Sequence, residues 1–247
     1  MLTDRMVTAG HVLFRWRSYL LFAFLPLFIW AVSEGEALEV RWGDAVGEIT
    51  EVLALLLLVL GEAIRVLTVG FVPHGTSGRN TDKGQIAERL NTTGLYSTTR
   101  NPLYLGNCLM YVALALYTQH LWVVAVLGLT LTLYYERIIA AEESFLLEKF
   151  GEPYREWSAQ TPVFWPRLRN WRRPDMPFSL RTVIRREHVS ALGGFVVLYL
   201  LELGLHTLPG ATDTIAPGWH WLMGLAIVLE IVARVAKPAG WLKVEGR

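Results

Sequence analysis

The sequence contains a single cysteine, Cys108, so no disulfide can form within the chain. Its Cys and His residues show no metal-ligand spacing, it has no glycine-rich phosphate loop, and no Ser-His-Asp order indicates a hydrolase. No small-residue cleavage pattern follows the first apolar run, so we expect no removable signal peptide. These absences exclude a disulfide-bonded secreted domain, and we predict neither a bound metal nor a nucleic-acid partner.

Apolar residues, by contrast, are abundant. Of the 247 residues, 53% are hydrophobic and 10 are Trp, and the mean hydropathy is +0.34. A soluble domain of this size has too little interior to bury so much apolar surface. Trp side chains are typical of the headgroup level of a bilayer, where an amphipathic ring is partly wet. The composition therefore predicts an integral membrane protein.

Six apolar runs are long enough to cross a bilayer as helices, and they predict an all-α polytopic fold. They cover residues 13–33, 48–72, 103–119, 120–141, 189–207 and 218–236, with the third and fourth forming a tight hairpin. The long connections are 73–102, in which 75–81 is either a flexible loop or a substrate lid, and 142–188. We divide the chain into residues 1–47 (first span and periplasmic loop), 48–168 (a core of three spans) and 169–247 (a basic segment and the last two spans).

Positive charges are concentrated on one side of this arrangement. The two termini and the two long connections together carry 19 Lys and Arg residues, whereas the opposite side carries only Arg41. By the positive-inside rule, both termini and both long connections are cytoplasmic. The sequence therefore predicts a protein of a bacterial inner (plasma) membrane with its functional segments facing the cytoplasm.

Charged residues inside apolar spans are energetically costly, so each is a functional candidate. At a helical rise of about 1.5 Å per residue, Arg65 lies roughly 25 Å along the second span, and Glu136 and Arg137 reach a similar depth along the fourth. An alternative interpretation of Arg65 alone is that its side chain extends to the lipid headgroups, with Glu62 as its i,i+3 partner. We predict Arg65, Glu136 and Arg137 as catalytic residues at this level.

Two polar motifs lie where the third span begins and the fourth ends. The first reads Gly94-Leu95-Tyr96, followed by Arg100-Asn101-Pro102-Leu103-Tyr104-Leu105-Gly106. Pro102 suits the first turn of a helix, and the free amides of that turn suit an anion. The second motif runs from Tyr134-Tyr135-Glu136-Arg137 through Glu142-Glu143 to Phe150-Gly151 and Tyr154.

Together these motifs resemble the integral-membrane methyltransferases of the isoprenylcysteine carboxyl methyltransferase and phospholipid methyltransferase superfamily. The family pattern is Gly-x-Tyr, Arg-His-Pro-x-Tyr-x-Gly, Glu-Glu and Phe-Gly-x-x-Tyr, closing on a Pro, and the similarity covers roughly residues 48–168. The resemblance implies S-adenosylmethionine as cofactor and a lipid or lipid-linked acceptor in the membrane. It also implies a set of cofactor-binding residues: Tyr96, Arg100, Asn101, Pro102, Tyr104, Gly106, Glu142 and Glu143.

The sequence departs from the family pattern at Asn101, where the family commonly has His. An amide keeps a hydrogen bond but cannot titrate, so a mechanism that needs an imidazole base here is in conflict with the sequence. A carboxylate or phosphate oxygen is already anionic and needs no base, and arginines suit such a group. We therefore favour O-methylation of an anionic lipid group. N-methylation of a phospholipid amine is the alternative, with Glu136 as the base.

Two interpretations from other functional classes stay open. A sterol-reductase-like enzyme that uses NADPH shares the helical architecture, and a non-catalytic lipid-binding membrane protein would keep the fold without the reaction. The arginines after the fourth span are interpreted as anchors on anionic lipid rather than as ligands. This set comprises Arg167, Arg169, Arg172, Arg173, Arg181, Arg185 and Arg186.

Overall fold

The computed structural model describes residues 2–16, 19–73, 80–81, 84–85, 87–208 and 214–246. The helices, in chain order, are α1 (Leu2–Arg15), α2 (Leu20–Ser33), α3 (Ala37–Trp42), α4 (Asp44–Phe71), α5 (Pro102–Tyr117), α6 (Leu121–Phe150), α7 (Glu152–Gln160), α8 (Leu180–Thr207) and α9 (Pro217–Ala236). One two-stranded hairpin pairs β1 (Asn80–Thr81) with β2 (Gly84–Gln85) in antiparallel orientation. The predicted loop or lid over 75–81 falls mostly outside the described residues.

Four described helices are long and apolar enough to cross a membrane, namely α4, α6, α8 and α9. Helix α5 is also apolar but has only 16 residues. These five helices coincide with the second to sixth predicted spans, and the prediction of an all-helical membrane protein is confirmed. The total of six spans and the cytoplasmic location of the termini stay predictions.

The first predicted span, 13–33, does not form one helix, because α1 ends at Arg15 and α2 begins at Leu20. Helix α1 instead packs along α6, and the two approach so closely at Gly10 that a Cβ there would collide with the carbonyl oxygen of Arg137. Phe14 is buried in the core, and the Tyr134 hydroxyl donates to the Leu13 carbonyl at 3.1 Å. Helix α1 thus packs against α6, a contact that an apolar run does not reveal.

Helices α4 and α5 pack more extensively than any other pair of described helices, and two facing glycines allow this. A Cβ on Gly61 would lie 2.7 Å from the Gly106 carbonyl oxygen, and a Cβ on Gly106 would lie 2.7 Å from that of Gly61. Side chains at these positions would push the helix axes apart. The glycine pair therefore brings the first turns of α5 against α4, next to Arg65.

Buried polar contacts fix the α5–α6 hairpin at the opposite end of these helices. Gln119 has a φ of 58°, a left-handed conformation uncommon for a side-chain-bearing residue, and its side chain is fully buried. Its Oε1 accepts from the Glu39 amide at 2.9 Å, which ties the hairpin to α3. The Tyr117 hydroxyl donates to Glu202 Oε2 at 2.6 Å and so links α5 to α8.

The C-terminal helices pack onto this core through α8, which contacts α4, α5 and α2, while α9 packs on α8. Ser179 caps α8 by accepting from the Thr182 amide, which satisfies one free donor of the first turn. Glu230 of α9 accepts from Arg234 Nε at 2.6 Å and lies 2.9 Å from His188 Nδ1 of α8. The contact between Glu230 and His188 therefore joins α9 to the first half of α8.

Candidate active site

A cavity of about 460 Å³ lies where α5 begins and where α6 continues toward its C-terminus. Its volume falls within the usual range for a site that binds a small ligand. Eight of the eleven predicted site residues line it: Arg65, Tyr96, Arg100, Asn101, Pro102, Tyr104, Glu142 and Glu143. The two sequence motifs therefore meet at one cavity, which agrees with their positions at the start of the third span and the end of the fourth.

The segment before α5 is held in a defined turn by its own hydroxyl groups. Gly94 has a φ of 61°, and a 3₁₀ turn follows from Leu95 to Ser97. Ser97 Oγ donates to the Gly94 carbonyl at 2.7 Å, and Thr99 Oγ1 donates to the Phe164 carbonyl at 2.8 Å. Because the turn is tied to the segment after α7, Tyr96 is buried at a fixed position on the cavity wall.

Asn101 and Pro102 form the junction between this turn and α5. Pro102 occupies the first turn of the helix, where its missing N–H leaves no hydrogen bond unmade. Asn101 Nδ2 donates to the Val163 carbonyl at 2.9 Å, while the Arg100 amide donates to the Pro162 carbonyl at 2.9 Å. The amide at the position of the family's usual His thus has a structural partner on the neighbouring loop.

Two pairs of side chains connect α5 to α6 across the cavity. The Tyr104 hydroxyl donates to Glu142 Oε1 at 2.8 Å. Arg100 Nη1 lies 2.8 Å from Glu143 Oε1, with the two side chains 15% and 29% exposed. Consecutive carboxylates on one helix thus each have a partner from the other motif. They stay partly accessible to a ligand.

Helix α7 adds an aromatic wall that was not among the predicted site residues. Gly151, with a φ of 57°, lets the chain turn sharply between α6 and α7. This turn brings Tyr154 and Trp157 onto the cavity, with ring centroids 5.6 Å apart. Burial, together with the negative charge of Glu143, raises the pKa of Tyr154 to about 12, so its hydroxyl stays protonated at neutral pH. The Phe-Gly-x-x-Tyr spacing was the available sequence signal for Tyr154.

Arg65 reaches the cavity but is held by neighbouring side chains. Its Nε and Nη2 atoms donate to Glu187 Oε2 at 2.9 and 2.5 Å, and its Nη1 donates to Asn107 Oδ1. The Arg65 and Glu187 side chains are only 13% and 7% exposed. The carboxylate that binds Arg65 is therefore Glu187 of α8, and not the i,i+3 neighbour Glu62 that the sequence suggested.

Three predicted site residues lie away from the cavity lining. Glu136 is exposed, and Arg137 donates from Nη1 to the Leu133 carbonyl at 2.6 Å on the side of α6 that meets α1. Gly106 contacts α4, where a Cβ would lie 2.7 Å from Cγ of Arg65. The structure therefore gives Gly106 a packing position and brings neither Glu136 nor Arg137 to the other site residues.

The opposite wall of the cavity comes from the C-terminal helices. Arg185, Arg186, Glu187 and Ser190 of α8 line it, as does Lys237 just after α9. The sequence predicts the two arginines as lipid anchors, and it does not place the other three residues in the site. No local spacing signals them, because α8 begins more than 70 residues beyond the end of the first motif.

Comparison with known proteins identifies the central part of the chain. Residues 49–153 match the family model described as phospholipid methyltransferase. The chain is 38% identical over 120 residues to the cobalt-zinc-cadmium resistance protein CzcN of Cupriavidus metallidurans, which covers 47% of this chain and 52% of that protein. It is 29% identical over 159 residues to the nickel-cobalt-cadmium resistance protein NccN of Alcaligenes xylosoxydans xylosoxydans, covering 64% of this chain and 61% of that protein.

These alignments span little more than half of each relative's own length. No solved structure matches the chain. Within the described ranges, no group of three or more His, Cys, Asp or Glu side chains is arranged to hold a metal ion.

Proposed function

Residues 49–153 belong to the phospholipid methyltransferase family, and from this premise we propose that the chain transfers a methyl group from S-adenosylmethionine to a membrane-embedded lipid. The observation that carries the proposal is the meeting of both motifs at one cavity, through Tyr104 with Glu142 and Arg100 with Glu143. The acceptor that we propose is an anionic oxygen of a lipid, on a carboxylate or a phosphate.

The residues of the cavity fit the proposed cofactor. Glu142 and Glu143 suit ribose hydroxyls or an ammonium group, and the aromatic rings of Tyr96, Tyr154 and Trp157 suit a flat base. Arg100 Nε and Trp157 Nε1 are buried without a hydrogen-bond acceptor among the described residues. Because buried donors are normally satisfied, these two atoms favour a ligand that brings acceptor atoms to this wall.

S-adenosylmethionine would supply an electrophilic methyl group, and the acceptor oxygen forms the new C–O bond as the S–C bond breaks and leaves its electrons on sulfur. The chain's own contribution is to position the reactants and to exclude water. An anionic oxygen releases no proton in this reaction, so no general base is required. Asn101, which cannot titrate, is compatible with that chemistry.

The charge of the lining supports an anionic acceptor. Six cationic side chains line the cavity against three carboxylates, so the wall carries an excess of positive charge. A positively charged cofactor adds to that excess. A protonated amine would be repelled, whereas a carboxylate or phosphate would be attracted, and both effects are strengthened by partial exclusion of water.

The test is methyl transfer by purified protein in detergent or nanodiscs with radiolabelled S-adenosylmethionine and total membrane lipid. We expect label in the lipid fraction, and after headgroup hydrolysis we expect it on oxygen. Thermal stabilisation by adenosylhomocysteine and not by NADPH is the expected binding result. Label on an amine nitrogen would refute the anionic acceptor alone. Stabilisation by NADPH, with no transfer to any lipid, would refute the methyltransferase assignment.

The names of the two relatives suggest a physiological consequence. Both concern resistance to divalent metals, and methylation of an anionic lipid oxygen removes a negative charge that attracts cations to the membrane surface. We therefore propose that the product lipid lowers metal binding at the membrane. Vesicles made from cells that express the protein should have a less negative zeta potential than vesicles from cells that lack it. An unchanged potential would refute this consequence and leave the enzymatic proposal intact.

A further inference from the structure

The wall that α8 contributes has no assigned role, because α8 lies beyond the family match of residues 49–153. We infer that this helix recognises the methyl acceptor and that Arg185 binds its anionic headgroup oxygen. The inference rests on the proposed function and assigns the acceptor half of the cavity to residues outside the family segment.

Two other partly buried arginines of the cavity are already paired with carboxylates. Arg65 is bound to Glu187, and Arg100 lies against Glu143. Arg185 differs, because no carboxylate pairs with it among the described residues, and its Nε atom is also buried there without a hydrogen-bond acceptor. A buried guanidinium N–H without an acceptor is costly, so this atom indicates a place for an acceptor group from a ligand.

The position of Arg185 is fixed by two attachments of α8 to α4. The Ser179 amide donates to the Gly70 carbonyl at 2.9 Å where the helix begins. Glu187, two residues after Arg185, receives the two hydrogen bonds from Arg65. A helix held at both points cannot rotate freely, so Arg185 is preorganised on the cavity wall rather than free to follow the membrane surface.

The chemistry of a guanidinium selects the ligand class. Its planar set of donors matches the paired oxygens of a carboxylate or a phosphate, and an ammonium does not reproduce that geometry. The acceptor is therefore a lipid with a terminal carboxylate or phosphate monoester. Dioctanoyl phosphatidic acid and lauric acid are probes for the two groups, and dioctanoyl phosphatidylethanolamine is the amine control.

The experiment compares Arg185→Ala and Arg185→Lys with Arg181→Ala, an exposed arginine one turn earlier on α8 that does not line the cavity. Methyl transfer to each probe gives KM and kcat, calorimetry gives adenosylhomocysteine affinity, and thermal shift reports lipid binding without turnover. For Arg185→Ala we expect the KM for one anionic probe to rise about ten-fold or more, with cofactor affinity within about two-fold. Arg185→Lys should recover part of the loss, and Arg181→Ala should resemble the wild type.

Each contrary result separates the two proposals. An unchanged KM in Arg185→Ala, or an equal rise in Arg181→Ala, would overturn the role of Arg185 while the methyltransferase assignment stands. Loss of adenosylhomocysteine affinity in both Arg185 variants would mean that Arg185 binds the cofactor rather than the acceptor, and this result would also overturn the inference. If the wild type transfers no methyl group but is stabilised by an anionic probe only when Arg185 is present, the anion site stands and the proposed reaction fails.

Discussion

Substitution of Glu187 by alanine tests how strongly the ion pair between α4 and α8 holds the C-terminal helices on the core. The Arg65 and Glu187 side chains are 13% and 7% exposed, and two of the three hydrogen bonds that the structure gives Arg65 go to Glu187. The substitution therefore leaves a largely buried guanidinium with Asn107 as the remaining acceptor of that set. Its desolvation is then no longer offset by an opposite charge.

Removal of one partner from a buried pair typically costs about 3–5 kcal/mol of unfolding free energy. For a chain of this size, each kcal/mol lowers the unfolding temperature by roughly 2–4 °C, so we expect Glu187→Ala to lower it by about 6–20 °C. Replacement of both partners by apolar side chains of similar volume, as in Arg65→Met with Glu187→Leu, should restore most of the loss. The reason is that both the charges and their desolvation cost are then removed.

The assay is thermal unfolding of detergent-purified variants, followed by tryptophan fluorescence. Glu156→Ala, which removes an exposed carboxylate on α7, is the matched control and should shift the transition by about 1–2 °C at most. A shift of similar size for Glu187→Ala would refute the reasoning. So would a double variant less stable than either single one, because that result would mean that the pair itself contributes little.

Three further expectations concern the cavity. Glu142→Gln should weaken adenosylhomocysteine binding about ten-fold in calorimetry, whereas Glu148→Gln, at an exposed position on the same helix, should not. Equal affinities of the two variants would mean that the cofactor binds elsewhere. Arg137→Ala should keep the rate of methyl transfer within about two-fold of the wild type, because the Arg137 side chain binds the Leu133 carbonyl away from the cavity. Abolished activity would instead support the catalytic role suggested by the sequence. Gly106→Ala should lower stability by about 1–3 kcal/mol because a Cβ would collide with Arg65 and Gly61, and an unchanged unfolding temperature would contradict that packing.

The membrane depth of the two motifs could be predicted from the sequence. Because helical rise is constant, Arg100 and Tyr104 at the start of one span could be placed level with Glu136 and Arg137 at the end of the next, whereas Glu142 and Glu143 were implied by the family resemblance. In the structure, Tyr104 pairs with Glu142 and Arg100 with Glu143. Depth alone does not give direction around the helix axis, which is why Arg137 was predicted in the site.

Contacts between distant segments could not be predicted in the same way. Glu187 is 122 residues from Arg65, and spacing rules describe only neighbours on one helix, so Glu62 was the candidate available. The packing of α1 could not be predicted for a similar reason. An apolar run indicates the length and hydropathy of a span, whereas α1 is positioned by the close approach of Gly10 to α6.

Helix α6 is a single uninterrupted helix of 30 residues, about 45 Å long. Its first turn carries Trp122, whose ring contacts Trp30, and its last turns lie at the cavity. An inserted residue anywhere between Trp122 and Glu142 would turn that carboxylate by about 100° and move it by about 1.5 Å, out of reach of Tyr104. A loop could absorb the extra residue, but a regular α-helix cannot do so without a local π-bulge. This stretch should therefore tolerate substitutions while rejecting insertions and deletions, so the number of residues between its aromatic beginning and its carboxylates is as much a functional constraint as their identity.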